Sequence, residues 1–361
     1  MSFRSSIFSF DTLSASLRPG RSVLLALCIV ASMRIVLALS SSSMIALPGP
    51  TRGEMLRSIL NVERFARNHA NEPPQALLLG SSRIEYGLLE DVFAAECGLD
   101  SQRVLNLGLG GGSIYEALVL VRRTPELIGN GTLVVLGVDA WMFNEHRDDS
   151  IKPGFYRVAS LRDRLRLCGR GDRAYALADY LLGFVSARRS APQWLRGAWW
   201  LIDGQDDLSG RRTRVGWTEE GLHAMQTQAR FQPKNAARSQ MSSFAGIERA
   251  AAALGELHAL CEQRAATLVL LVPPASDAYL TAVDALPGGE AAQRWFRHWL
   301  AGISKSYVVL RYERGADAGL AESDFVDWAH LTRDAAQRFT RRVASDLRAA
   351  RRPALTRVSP R

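Results

Sequence analysis

The sequence predicts an α/β protein: a three-layer sandwich around a five-stranded parallel sheet, with a helical insert and an N-terminal transmembrane helix. Three observations predict it. Five short apolar runs are each bounded by turn residues: Ala76 to Leu79, Val104 to Leu107, Leu133 to Leu136, Leu268 to Val272 and Tyr307 to Leu310. Their leucine and β-branched content, with polar residues nearly absent, suits strands buried on both faces. Helical patterns fall between several of them, and strands alternating with helices indicate parallel pairing through helical crossovers.

The chain begins with Arg4, Arg18 and Arg21 ahead of an apolar stretch, Val23 to Met33. Apolar character resumes after Arg34 and continues, diluted by Ser40 to Ser43, to Leu47. Residues 22–47 are long enough to span a bilayer. The basic flank keeps residues 1–21 cytoplasmic. Arg34 is costly at that depth unless it snorkels or pairs. A cleaved signal peptide is the alternative reading, and a buried helix of a soluble protein is the plainest one.

Pro48-Gly49-Pro50 ends the anchor and opens a linker, residues 48–74, within which Arg52 to His69 has the spacing of an amphipathic helix. Residues 75–345 form the α/β domain. Helices are expected at Leu88 to Cys97, Ser113 to Arg123 and Ala245 to Arg264. An insert, residues 141–244, separates the third and fourth runs and is rich in arginine and aromatic residues. Within it, Ser160 to Leu167 and Ala174 to Ala187 read as helices, and Asp203 to Arg214 as an exposed loop. A basic tail, residues 346–361, closes the chain.

The net charge of +9 owes much to C-terminal arginines. A solvated helix face followed by the tail explains it; attraction to an anionic surface such as phospholipid headgroups is the alternative. No zinc-finger spacing or aromatic-basic motif points to nucleic acid. Cys28, Cys97, Cys168 and Cys261 form no C-x-x-C pair, which argues against a zinc or redox site.

In an open α/β sheet, ligands bind at the carboxyl ends of the strands. After the first run come Gly80, Ser81, Ser82 and Arg83, and after the second comes a glycine-rich segment, Gly108 to Gly112. That segment lacks the full G-x-G-x-x-G spacing, and no P-loop lysine follows. After the third run come Asp139, Trp141 and Asn144, and after the fifth come Asp327 and His330. Singly, each has a structural explanation, such as a helix cap or a tight turn. Together they supply a hydroxyl, an imidazole base and a carboxylate to orient it, which is what serine nucleophilic catalysis needs.

Their order along the chain resembles the SGNH, or GDSL-like, hydrolase superfamily, whose sheet is flavodoxin-like. Gly80-Ser81-Ser82 stands where the family has Gly-Asp-Ser, so the resemblance implies Ser82 as nucleophile, with Ser81 replacing the aspartate. Asn106 to Gly111 fits the family's Asn-x-x-x-x-Gly block and implies Gly111, with the amide of Ser82, as an oxyanion donor. Asp327 and His330 fit the last block, Asp-x-x-His, as orienter and base. Gly137-Val138-Asp139 departs from Gly-x-Asn-Asp: it puts an acceptor-only carboxylate where an asparagine would donate to the oxyanion. Asp139 is then protonated, or turned toward a substrate hydroxyl or an arginine, or the oxyanion hole is incomplete. Arg83 steers an anionic substrate or pairs with Asp139 or Glu85, while Trp141 and Asn144 are further candidates for substrate contact.

These departures and the anchor look like the membrane-anchored proteins of alginate O-acetylation and teichoic-acid D-alanylation. The resemblance implies acyl-ester chemistry, of O-acetyl type, on a glycopolymer outside a bacterial cytoplasmic membrane. It implies a single-pass anchor, or secretion to the periplasm after cleavage. A membrane-bound acyltransferase is the implied partner, with no cofactor, metal or nucleic acid. A polymer-binding or scaffold component with weak catalysis is the other class of function.

Overall fold

The computed structural model describes residues 72–144, 159–167, 231–246 and 248–355, with a few helical positions near residues 24–32, 173–177 and 226–228. Leu24, Leu25, Cys28, Ile29 and Ser32 are helical, and the rest of the expected membrane span lies outside the described residues. So do the expected Arg52 to His69 helix, the Asp203 to Arg214 loop and most of the Ala174 to Ala187 helix. Among the described residues, no helix is long and apolar enough to cross a membrane. The chain divides into two compact units, Met1–Pro50 with Leu177–Asp207, and Thr51–Ala176 with Leu208–Arg361. The sheet and every residue of the candidate site belong to the second.

The protein is α/β, with a five-stranded, all-parallel sheet in the order β2-β1-β3-β4-β5. The strands are β1 (Ala76–Leu79), β2 (Val104–Asn106), β3 (Leu133–Gly137), β4 (Thr267–Val272) and β5 (Val308–Arg311). The register sets Leu77 beside both Leu105 and Val134, and Val135 beside Val269. Side chains alternate across the sheet. Leu77, Leu79, Val134 and Leu136 enter one core, with Leu118 and Leu257 from helices. Ala76, Leu78, Leu133 and Val135 enter a second core, with Phe93, Phe339 and Val343. Two covered faces explain why the inner strands read as unbroken apolar runs.

β5 departs from that expectation. It starts one residue later than the apolar run, and only Leu310 of its four residues is buried. Its hydrogen-bonded neighbour is β4 alone, and an edge strand tolerates the exposed Val308 and Arg311 because one side meets no further strand.

The helices carry local signals that explain their limits. α1 (Ser82–Gly87) is not among the expected helices. α2 (Glu90–Cys97) stops at Gly98, whose φ of 67° gives a left-handed cap. α3 (Ile114–Arg123) opens on a capping box, with the Ser113 hydroxyl accepting from Tyr115 N and the Glu116 carboxylate accepting from Ser113 N. α4 (Leu161–Leu167) and α5 (Pro233–Met241) belong to the insert. α6 (Glu248–Gln263) crosses to β4; α7 (Asp277–Asp284) and α8 (Gly289–Ile303) cross to β5. α9 (Arg333–Leu355) buries Phe339, Val343 and Leu347 along one stripe. It therefore continues as helix into the segment read as a basic tail.

β1 and β3 are neighbours in the sheet, and the chain leaves β1 toward β2 on one side but leaves β3 toward β4 on the other. The crevice this opens at the carboxyl ends of β1 and β3 is where an open α/β sheet takes its ligands.

Candidate active site

Ser82 is the first residue of α1, three positions past the end of β1. The turn depends on Gly80, whose φ is 138°. A Cβ there would lie 2.9 Å from Ile84 Cγ1 and 3.0 Å from the Gly137 carbonyl oxygen, so no other residue makes this turn without strain. Ser81 caps the helix, its hydroxyl accepting from Arg83 N at 3.3 Å. The turn leaves Ser82 only half-buried.

The base comes from the other end of the domain. Between β5 and α9 the chain folds back on itself, with Val326 N donating to His330 O at 2.7 Å and a bridge between Phe325 and Leu331. Asp327 Oδ1 accepts from the backbone amides of Ala329 and His330, both at 2.9 Å. Its Oδ2 is 2.6 Å from His330 Nδ1, and His330 Nε2 is 2.7 Å from Ser82 Oγ. An ionised carboxylate only accepts, so Nδ1 carries the imidazole proton and Nε2 is left to accept from the Ser82 hydroxyl. Tyr86, Trp328 and Phe231 meet the imidazole edge-on, with centroids 5.3, 6.2 and 6.2 Å away. They hold the ring without competing for its nitrogens.

The glycine-rich segment lies against this turn. Leu109 N donates to Gly80 O at 3.0 Å. A Cβ at Gly108 would lie 2.4 Å from Glu85 N, so α1 and the loop approach too closely for a side chain there. Asn106 ties the two together. Its Nδ2 donates to Ile84 O at 3.0 Å and Leu88 O at 2.8 Å, while its Oδ1 accepts from Gly108 N at 2.9 Å. Gly111 sits at the tip of the loop with φ 63°. The amides of Ser82 and Gly111 are thus on two segments fixed to one another.

Asp139 is 2% exposed and turned toward an arginine. Its Oδ1 accepts from Arg83 Nη1, and its Oδ2 accepts from Ser81 Oγ at 3.3 Å. The second Arg83 terminal nitrogen donates to Pro273 O. Of the three arrangements open from the sequence, the geometry is the pairing with arginine. A carboxylate so engaged has no proton to give an oxyanion. Arg83 is 7% exposed, so its guanidinium does not face solvent to steer a substrate. Burial lowers Arg83 to about 10, with Tyr279 and Asp327 acting in the opposite direction. It remains charged at neutral pH.

Two further candidates lie away from the triad. Asn144 is 1% exposed; its Nδ2 donates to Gln240 O at 2.9 Å and its Oδ1 accepts from Ala245 N at 3.2 Å. It joins the two ends of the insert. Trp141 is buried and lines a cavity with Arg83 and Asp139. Sequence reasoning missed the ring of Phe231, which comes from the insert with no local motif to mark it, and the clamping role of Asn106, which the block spacing located but did not explain.

Among the described residues, no group of three or more His, Cys, Asp or Glu is disposed to hold a metal ion. The chain matches no known family model, and no curated protein matches it in sequence.

Proposed function

We propose that the protein is a serine acyl-ester enzyme of SGNH type that transfers or hydrolyses a short O-acyl ester on a glycopolymer outside the cytoplasmic membrane. One observation carries the reading: the unbroken hydrogen-bonded chain from Asp327 through His330 to Ser82. Ser82 Oγ attacks the acyl carbonyl carbon as its proton passes to His330 Nε2. The tetrahedral oxyanion is met by the backbone amides of Ser82 and Gly111. The bond to the leaving alcohol breaks, and the alcohol takes the proton from His330. Water or a sugar hydroxyl then attacks acyl-Ser82, again giving its proton to His330 Nε2, and the Ser82 oxygen takes that proton back as its bond to the acyl carbon breaks. Asp327 keeps the imidazole in the working tautomer and stabilises its charged form.

The SGNH assignment is supported by four sequence blocks that fall at the carboxyl edge of one parallel sheet. The extracytoplasmic site is supported by the basic flank and apolar span of residues 22–47, and a membrane acyltransferase is the partner such a placement suits. Labelling with a fluorophosphonate probe tests the triad. Covalent modification of Ser82 that disappears in His330→Ala is expected; a wild-type protein that takes no label at Ser82 would refute it.

A second reading has its own observation. With Asp139 committed to Arg83, no side chain at the third block donates to the oxyanion, which favours a polymer-presenting component with weak catalysis. If Ser82→Ala leaves polymer acylation in cells intact while deletion of the protein abolishes it, that reading replaces the first.

A further inference from the structure

A cavity of about 60 Å³ lies behind the Arg83–Asp139 pair. One water needs roughly 10–15 Å³, so the space suits a group of several heavy atoms. It opens at the carboxyl ends of β3 and β4, where Asp139 and Ala140 follow one strand and Val272 and Pro273 end the other. The triad residues are not in its lining, but two lining residues adjoin them. Arg83 is the residue after the nucleophile. Tyr279, also in the lining, lies against Trp328 with ring centroids 4.6 Å apart, and Trp328 contacts His330.

The lining chemistry is specific. Trp141, Met241, Leu280, Val283 and Phe296 give apolar walls. Arg83 gives one polar feature: its terminal nitrogens are taken by Asp139 and Pro273 O, while its buried Nε has no acceptor among the described residues. A buried donor in that state calls for an acceptor. Its charge is already met by Asp139, and Glu313 adds a second carboxylate to the wall. A neutral oxygen is therefore a better match than an anion.

We propose that this cavity is the acyl-selecting pocket of the enzyme, taking a short neutral acyl chain with an oxygen beyond its carbonyl that accepts from Arg83 Nε–H. A 3-hydroxybutyryl group has that chemistry. The proposal rests on Ser82 being the nucleophile. A wall residue enlarged by a few carbons reduces the space for the chain, and one methylene in an apolar pocket is worth about 10-fold or more in discrimination.

The experiment measures the rate of acyl-Ser82 formation, by mass spectrometry of the intact protein, with p-nitrophenyl acetate, butyrate and 3-hydroxybutyrate. In the wild type the 3-hydroxybutyryl adduct forms fastest. Val283→Phe, and independently Leu280→Phe on the same helix, lower the 3-hydroxybutyryl-to-acetyl rate ratio by about 10-fold. Arg83→Lys keeps a charge for Asp139 but removes the Nε donor, and it brings the 3-hydroxybutyryl-to-butyryl ratio close to one. Adducts whose ratios none of the three variants changes overturn the pocket and leave the serine mechanism standing. No adduct at Ser82 with any ester overturns the serine mechanism itself.

Discussion

The two halves of the site treat their charged groups differently. In the triad, Asp327 is spent on two backbone amides and one imidazole nitrogen, and the other imidazole nitrogen points to a half-buried hydroxyl. The chain of hydrogen bonds ends on an atom able to react. In the other half, Asp139 closes on Arg83 and Ser81, and Arg83 closes on Pro273. That set ends on no reactive atom, and it leaves only Arg83 Nε without an acceptor among the described residues. The difference separates groups arranged to move a proton from groups arranged to hold a charge in place. In the proposed mechanism it also leaves stabilisation of the oxyanion to backbone amides.

The largest effects belong to the first half. Ser82→Ala or His330→Ala should each lower ester turnover by about 10⁶-fold, and the double variant by no more, because a triad acts as one unit. Asp327→Asn should cost about 10⁴-fold by favouring the wrong imidazole tautomer. Steady-state rates on one activated ester check all of these. Additive losses in the double variant would mean that the hydrogen-bonded chain is not one catalytic device.

The second half is sharpened by separating stability from rate. Arg83→Met strands a carboxylate that is 2% exposed, and breaking a buried pair from one side costs about 3–5 kcal/mol. Adding Asp139→Asn removes the stranded charge and should recover most of that loss in urea unfolding. It also supplies an amide donor at the third block. If a missing oxyanion donor limits the rate, the double variant should turn over ester faster than the wild type, by as much as about 10²-fold. Equal rates would mean that the two backbone amides suffice.

The same contrast governs what could be read from the sequence. The triad was legible because Ser82 sits in a short motif just past β1 and Asp327 and His330 share one between β5 and α9, and the inner strands were legible because both their faces are buried. Ser82, Asp327 and His330 meet as the spacing of those motifs suggested. The Arg83–Asp139 pair was one of several alternatives, since a side chain's choice of partner depends on how β1 and β3 align, not on local pattern. Asn144 and Trp141 read as candidates for substrate contact because they follow a strand; Asn144 instead joins the ends of the insert. No helix is read from the sequence over α1, α5, α7 or α8; length is not the reason, since α2 and α4, of eight and seven residues, are read. The start of β5 was misplaced by one residue because an edge strand has no buried outer side to fix its pattern.

The smallest predicted effect concerns the loop that carries the base. Asp324 Oδ1 accepts from Arg338 Nη2 at 2.6 Å, joining that loop to α9. The hydrogen bond from Arg338 holds the Asp324 carboxyl below its ordinary range, with the Ala321 amide adding to the effect and burial opposing it. A carboxyl with a lowered folded value stabilises the fold fully above its unfolded value, about 3.9. That contribution is lost as pH falls through the lowered value. Half of the Arg338 side chain is exposed, so the pair is worth no more than about 1 kcal/mol. Arg338→Ala should therefore lower stability slightly at pH 7, and the gap to wild type should shrink in strong acid, below pH ~3.9. Urea midpoints measured from pH 7 down to pH ~2.5 test this. A gap that stays constant across that range would assign the loss to packing of the arginine stem against the loop and not to the charge on Asp324.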